Sequence, residues 1–138
     1  AASDVYKRQD PGRPDLGMQD LSGNQLQYSP DLKIYGELGY HIVTASGELV
    51  PRVTVNWTDD QYMSQYNHSY VAQDAYALVN LFLDYKSDSG WLASLYVKNV
   101  ADKLYTVAEN QTSLFIGNQI FGQFGAPRTY GVSVTKSF

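Results

Sequence analysis

The stretch Arg128-Thr129-Tyr130-Gly131-Val132-Ser133-Val134-Thr135-Lys136-Ser137-Phe138 decides the fold. Tyr130, Val132, Val134 and Phe138 fall at alternate positions, with Thr129, Gly131, Ser133, Thr135 and Ser137 between them. A period of two is the signature of a strand with one apolar and one polar face. The polar set is small and hydroxylated rather than charged, which suits a face turned to an enclosed aqueous lumen.

Working outward, the same alternation recurs. Trp91–Lys98 sets Trp91, Ala93, Leu95 and Val97 against Leu92, Ser94, Tyr96 and Lys98. Tyr76–Tyr85 sets Ala77, Val79, Leu81, Leu83 and Tyr85 against Tyr76, Leu78, Asn80, Phe82 and Asp84. Leu49–Gln61 sets Val53, Val55 and Trp57 against Arg52, Thr54, Asn56, Thr58 and Asp60. Leu32–Val43 sets Leu32, Ile34, Gly36, Leu38, Tyr40 and Ile42 against Lys33, Tyr35, Glu37, Gly39, His41 and Val43. The chain thus reads as about five strands of roughly 10 to 13 residues, where strands of soluble proteins average about 5 to 6 and a tilted bilayer-crossing strand needs about 9 to 11. Short turns at 44–48 (TASGE) and 87–90 (SDSG) alternate with long polar loops at 10–30, 62–74 and 101–125. Sorting of short turns and long loops to opposite rims is the habit of outer-membrane barrels.

Composition agrees. The 138 residues are 43% hydrophobic and 14% aromatic, with 12 Tyr, and only 17% are charged, which excludes disorder. With no Cys there is neither a disulfide scaffold nor a Cys-ligated metal, and a net charge of −4 argues against nucleic acid as a partner. No apolar run approaches the 18 or so residues of a membrane helix, a test that strands escape. Residues 1–9 (AASDVYKRQ) fit no downstream pattern and read as a non-native scar or disordered segment.

Three patches carry a family resemblance. The run Phe124–Phe138 resembles the last strand of TonB-dependent outer-membrane receptors. Tyr96-Val97-Lys98-Asn99-Val100-Ala101-Asp102-Lys103-Leu104-Tyr105 resembles that family's penultimate-strand pattern, and Gly23–Pro30 resembles a segment before an earlier strand, with Gln27 where proline is usual. The resemblance implies an all-β antiparallel transmembrane barrel segment, about five C-terminal strands of a barrel of about 22 strands, incomplete in this chain. It implies loop over 10–31, barrel strands over 32–138, and localisation in the outer membrane of a Gram-negative bacterium. The implied function is that of a fragment of a receptor for active uptake of a scarce nutrient: a ferric siderophore, cobalamin or a glycan. Outer-membrane lipid, the remaining strands and plug, and the barrel assembly machinery are the implied partners. The TonB complex would be reached through a plug and TonB box without counterpart in these residues. The alternative is a soluble secreted β-domain that binds glycans through Tyr-rich loops.

Chemistry-bearing constellations are few. No Gly-x-Ser-x-Gly, Walker, His-Glu-x-x-His or EF-hand pattern occurs, so no enzyme, cofactor or metal is expected. His41 and His68 are isolated, Asp59-Asp60 reads as a solvated rim, and Gly122-x-x-Gly125 as a bend into the last strand. Sequons at Asn56, Asn67 and Asn110 would matter only in a secreted glycoprotein. Tyr130, Val132, Val134 and Phe138 form a candidate barrel-assembly signal, read by strand addition. Tyr85, Trp91 and Trp57 are candidate membrane-interface aromatics. Tyr62, Tyr66, His68, Tyr70 and Phe121 are the candidate ligand-contacting loop residues, with Gln65, Asn67, Gln119 and Gln123 beside them.

Overall fold

A computed structural model describes residues 6–137. It is built from β1 (Lys7–Gln9), β2 (Met18–Asp20), β3 (Lys33–Gly39), β4 (Ile42–Thr44), β5 (Gly47–Thr58), β6 (Gln61–Tyr62), β7 (Ala72–Gln73), β8 (Tyr76–Ser87), β9 (Trp91–Lys98), β10 (Thr106–Gln111), β11 (Ile120–Phe124) and β12 (Thr129–Lys136). Among the described residues helix is confined to two 3-10 turns at Pro14–Leu16 and Leu114–Ile116. The chain divides into a sheet unit (Lys33–Thr58, Tyr76–Leu104 and the residues from Ala126) and a loop unit (the residues up to Leu32, Asp59–Ala75 and Tyr105–Gly125).

The sheet unit is one antiparallel sheet in the order β12-β9-β8-β5-β3, with β4 also on β5. It is an open piece of barrel wall: β3 and β12 are its two edges, and neither pairs with the other. The register aligns the alternating residues into continuous rows. Leu38, Val53, Leu81, Val97 and Tyr130 form one apolar row, and Pro51, Leu83, Leu95 and Val132 form the next. On the reverse face Arg52 stands 3.7 Å from Glu37 and 3.6 Å from Asp84, with its guanidinium 4.5 Å from the Phe82 ring centre. Beside this cluster Asn80 Nδ2 donates to Thr54 Oγ1 at 2.9 Å.

The apolar face is not covered. Leu38 is 73% exposed, Leu81 45%, Leu95 50% and Val132 67%, whereas the buried apolar residues among those described are only Met63 and Val71, both in the loop unit.

Four of the five expected strands occur as single elements, although the one expected over Leu49–Gln61 ends at Thr58 and Gln61 lies in β6. The fifth, expected over Leu32–Val43, is divided into β3 and β4 across Tyr40 and His41. Register is unchanged across the gap, since Gly39 faces Arg52 and Ile42 faces Leu49. The interruption lies opposite Pro51, which accepts from Tyr40 N at 3.0 Å but has no N–H to return. The described part of the N-terminal stretch set aside above contributes β1, paired with β2. Phe138 lies outside the described residues.

The Asn-Val-Ala-Asp stretch 99–102 acquires a structural role here. Asn99, 4% exposed and at φ 51°, closes the end of β9. Its Nδ2 donates to Lys103 O (2.9 Å) and Ala126 O (3.1 Å), and its Oδ1 accepts from Lys103 N (2.8 Å). Asp102 then accepts from Arg128 N at 2.8 Å, which ties the exit of β9 to the entry of β12.

Candidate functional site

The three segments that read as long loops are not independent; they lace into the loop unit. Short antiparallel pairs β1–β2, β6–β7 and β10–β11 stiffen them. Hydrogen bonds then cross between segments. Tyr28 N donates to Tyr62 O (2.8 Å), Tyr28 Oη to Glu109 O (2.9 Å), and Asn24 Nδ2 to Gln65 O (2.9 Å). Thr106 N donates to Gln73 Oε1 at 2.6 Å, and Leu114 N to Pro11 O at 2.9 Å. Met63 N donates to Val71 O at 2.9 Å, and the two side chains form the small buried apolar centre.

The most organised side-chain group is a ladder of rings. Tyr66 and His68 stack with centres 5.9 Å apart, and His68 and Tyr70 with centres 4.9 Å apart. Residue spacing of two brings the rings into line because Asn67 adopts φ 53°, a left-handed turn that asparagine tolerates. His68 Nε2 meets Asp10 Oδ2 at 2.7 Å, with both side chains largely enclosed. The other carboxylate oxygen of Asp10 accepts from Gly12 N at 2.7 Å, an Asx turn that holds the aspartate in place. Tyr66 Oη reaches Gln9 O at 2.9 Å. The ladder therefore clips the segment around residue 10 to the segment around residue 68.

Of the five loop residues singled out from the sequence, the structure brings together Tyr66, His68 and Tyr70. Tyr62 lies in β6, and Phe121 lies in β11 opposite Asn110; both stand outside the ring ladder. Asp10 and Glu109 were not singled out. For Asp10 a signal existed: Asp-Pro-Gly is a turn-former whose aspartate is held close to the backbone. Nothing local marks Glu109, whose setting is made by distant residues.

Beside the ladder is a polar cavity of about 260 Å³ lined by residues of all three segments, among them Asp10, Gln65, Tyr66, Glu109 and Gln111. Oε2 of Glu109 is enclosed without a hydrogen-bond partner, and desolvation pushes this carboxyl above the ordinary glutamate range. Elsewhere in the unit the opposite holds. The paired hydrogen bonds from Arg13 (both 3.0 Å) keep the Asp15 carboxyl below its ordinary value, and the Ser22 hydroxyl does the same for Asp20. Among the described residues no three His, Asp or Glu side chains gather as metal ligands.

The candidate interface aromatics sit at two levels of the apolar face. Tyr85 lies in register with Leu49 and Ala93 near the short turns, where its Oη contacts Ser46. Trp91 starts β9, 47% exposed, with Lys136 Nζ 5.1 Å from its ring centre. Trp57 is at the far end of β5, in register with Ile34 and Ala77. Eight residues separate Leu49 from Trp57, roughly 26 Å along the strand at about 3.3 Å each.

This architecture is that of a strip of antiparallel barrel wall carrying structured loops. No family model matches the sequence. Among solved structures the chain is similar to the ferric yersiniabactin uptake receptor FyuA from Yersinia pestis, with a TM-score of 0.74 and 24% identity over 86% of this chain. The chain spans 18% of the length of that receptor, and at this identity the likeness is one of fold.

Proposed function

We propose that the chain is part of an outer-membrane receptor of the TonB-dependent type, contributing barrel wall and outer loops to active uptake of a scarce nutrient. The observation that carries this reading is the open apolar face: five strands align leucine, valine and tyrosine rows that no part of the sheet unit covers. Hydrocarbon is the solvent such a face suits, and the reverse face, with Arg52 between Glu37 and Asp84, suits a wet lumen. Among the expected nutrients a ferric siderophore is favoured, because the structurally similar receptor is an uptake receptor for one. The loop unit would face the exterior, the 44–48 and 87–90 turns the periplasm. Further strands would pair with the β3 and β12 edges, and a plug would supply the coupling to TonB. Tyr130, Val132 and Val134, aligned on the exposed face of the edge strand β12, would serve as the described part of the assembly signal.

The test is partition. The chain should enter phosphatidylcholine vesicles or detergent micelles with its β-structure and sediment or precipitate in their absence. A water-soluble, monomeric chain with a cooperative unfolding transition in plain buffer would overturn the reading in favour of a secreted β-domain.

A further inference from the structure

We propose that the cavity among the three loop segments is a binding site for a small organic cation, a protonated or quaternary amine. Every residue that lines it belongs to the loop unit, so the proposal does not rest on the uptake reading.

Four observations select the ligand class. First, the cavity holds about 260 Å³, room for a small molecule. Second, Asp10 and Glu109 line it and no lysine or arginine does. Asp10 is committed to Gly12 and His68, whereas Oε2 of Glu109 is enclosed and has no hydrogen-bond partner, and desolvation raises the proton affinity of this carboxyl. Third, the aromatic residue Tyr66 and the polar residues Gln27, Ser64, Gln65 and Asn110 also line it. A ring and a carboxylate together are the recognition chemistry of ammonium groups. Fourth, among the described residues the loop unit contains eight Asp or Glu and three Lys or Arg, whereas the sheet unit contains five and seven. The acidic excess thus belongs to the unit that holds the cavity, a field that favours cations over anions. A metal ion fits less well, because the described residues offer no group of three ligating side chains.

The experiment is a titration of the full chain in nonionic maltoside micelles with tetramethylammonium chloride, followed by calorimetry and by tyrosine NMR signals, with sodium acetate and glycerol as controls. Saturable binding of tetramethylammonium alone is expected. Glu109→Gln should weaken it at least tenfold, and Tyr66→Leu should do the same, while Tyr66→Phe should preserve it because the ring and not the hydroxyl is used. Affinity should fall as the pH is lowered until Glu109 is protonated. The proposal is overturned by an absence of saturable binding, by equal binding of glycerol, or by unchanged affinity in either weakening variant. Should Glu109→Gln not fold, Tyr66→Leu decides alone. Vesicle partition reports on the membrane reading separately, so the two can fail independently.

Discussion

Leu81 is the position at which the membrane reading is most exposed to refutation. It lies on β8 midway between Tyr85 and Ala77, the two ends of the apolar face, with Val53 and Val97 as its neighbours in register. Each end is four residues away, roughly 13 Å along the strand at about 3.3 Å per residue. Its side chain is 45% exposed. If the surroundings are hydrocarbon, Leu81→Arg places a charge near the bilayer midplane and costs about 2–4 kcal/mol, a factor of roughly 30 to 1,000 in the folding equilibrium. If the surroundings are water, the same change is an ordinary surface substitution worth within about 0.5 kcal/mol. Two companions sharpen the comparison. Tyr85→Arg, at the end of the face, should cost about 0–1 kcal/mol because the penalty fades toward the interface. Ser94→Arg, on the reverse face in register with Asp84, should be close to neutral or slightly favourable. The assay is urea unfolding of the chain in phosphatidylcholine vesicles, followed by the fluorescence of Trp57 and Trp91. A cost at Leu81 below about 0.5 kcal/mol, or an equal cost at Ser94, would refute the assignment of faces.

Three further outcomes follow from the geometry. Asn99→Ala removes three side-chain hydrogen bonds and the residue best suited to φ 51°, and should cost about 3–4 kcal/mol in the same urea assay, with Asn99→Gly recovering about 1 kcal/mol. Gly47→Ala would set a Cβ 2.2 Å from Lys86 O and 2.8 Å from Ser87 Cα, so amide exchange should show the β5–β8 pairing lost at that end, while Gly36→Ala, with open space at its Cβ, should leave exchange unchanged. For Glu109 the sign follows from its raised proton affinity. The folded chain holds the proton to higher pH than the unfolded chain does. Stability from this group is therefore greatest in acid and is lost as pH rises from the ordinary glutamate range through the folded value. Glu109→Gln should accordingly raise the urea midpoint more at neutral than at acidic pH; an equal shift at both would contradict the desolvation argument.

The sheet was legible because its information is local. Each strand announces itself by alternation, and the pairing Leu81–Val97 or Ile42–Leu49 follows from turns short enough to fix the register. Even the break between β3 and β4 has a one-residue cause in Pro51, although its consequence falls on a neighbouring strand and so could not be read from residues 40–41 themselves. The loop unit was illegible for the opposite reason. β6 and β7 have two residues each, too few for any period to show. What orders them is pairing across long separations: His68 with Asp10, Tyr28 with Glu109, Thr106 with Gln73. The Tyr-x-His-x-Tyr spacing was visible, yet its stacking depends on the left-handed turn at Asn67. Composition marked these segments as polar and aromatic, hence as candidates for ligand contact, but not which of their side chains meet.

The distribution of burial also constrains what can hold the sheet together. A domain stabilised in water needs an apolar interior, and among the described residues only Met63 and Val71 are buried apolar side chains. The leucine and valine rows instead lie open, so their favourable transfer from water must come from something outside the sheet. A soluble partner covering one face would provide that transfer but would leave β3 and β12 with unpaired backbone groups at both edges. Further strands alone would satisfy the edges and leave the rows in water. A closed barrel in a bilayer meets both demands at once, since closure pairs every edge and lipid takes up the apolar face. The two deficits, an uncovered face and two open edges, thus favour the same completion, although each arises from a different kind of interaction.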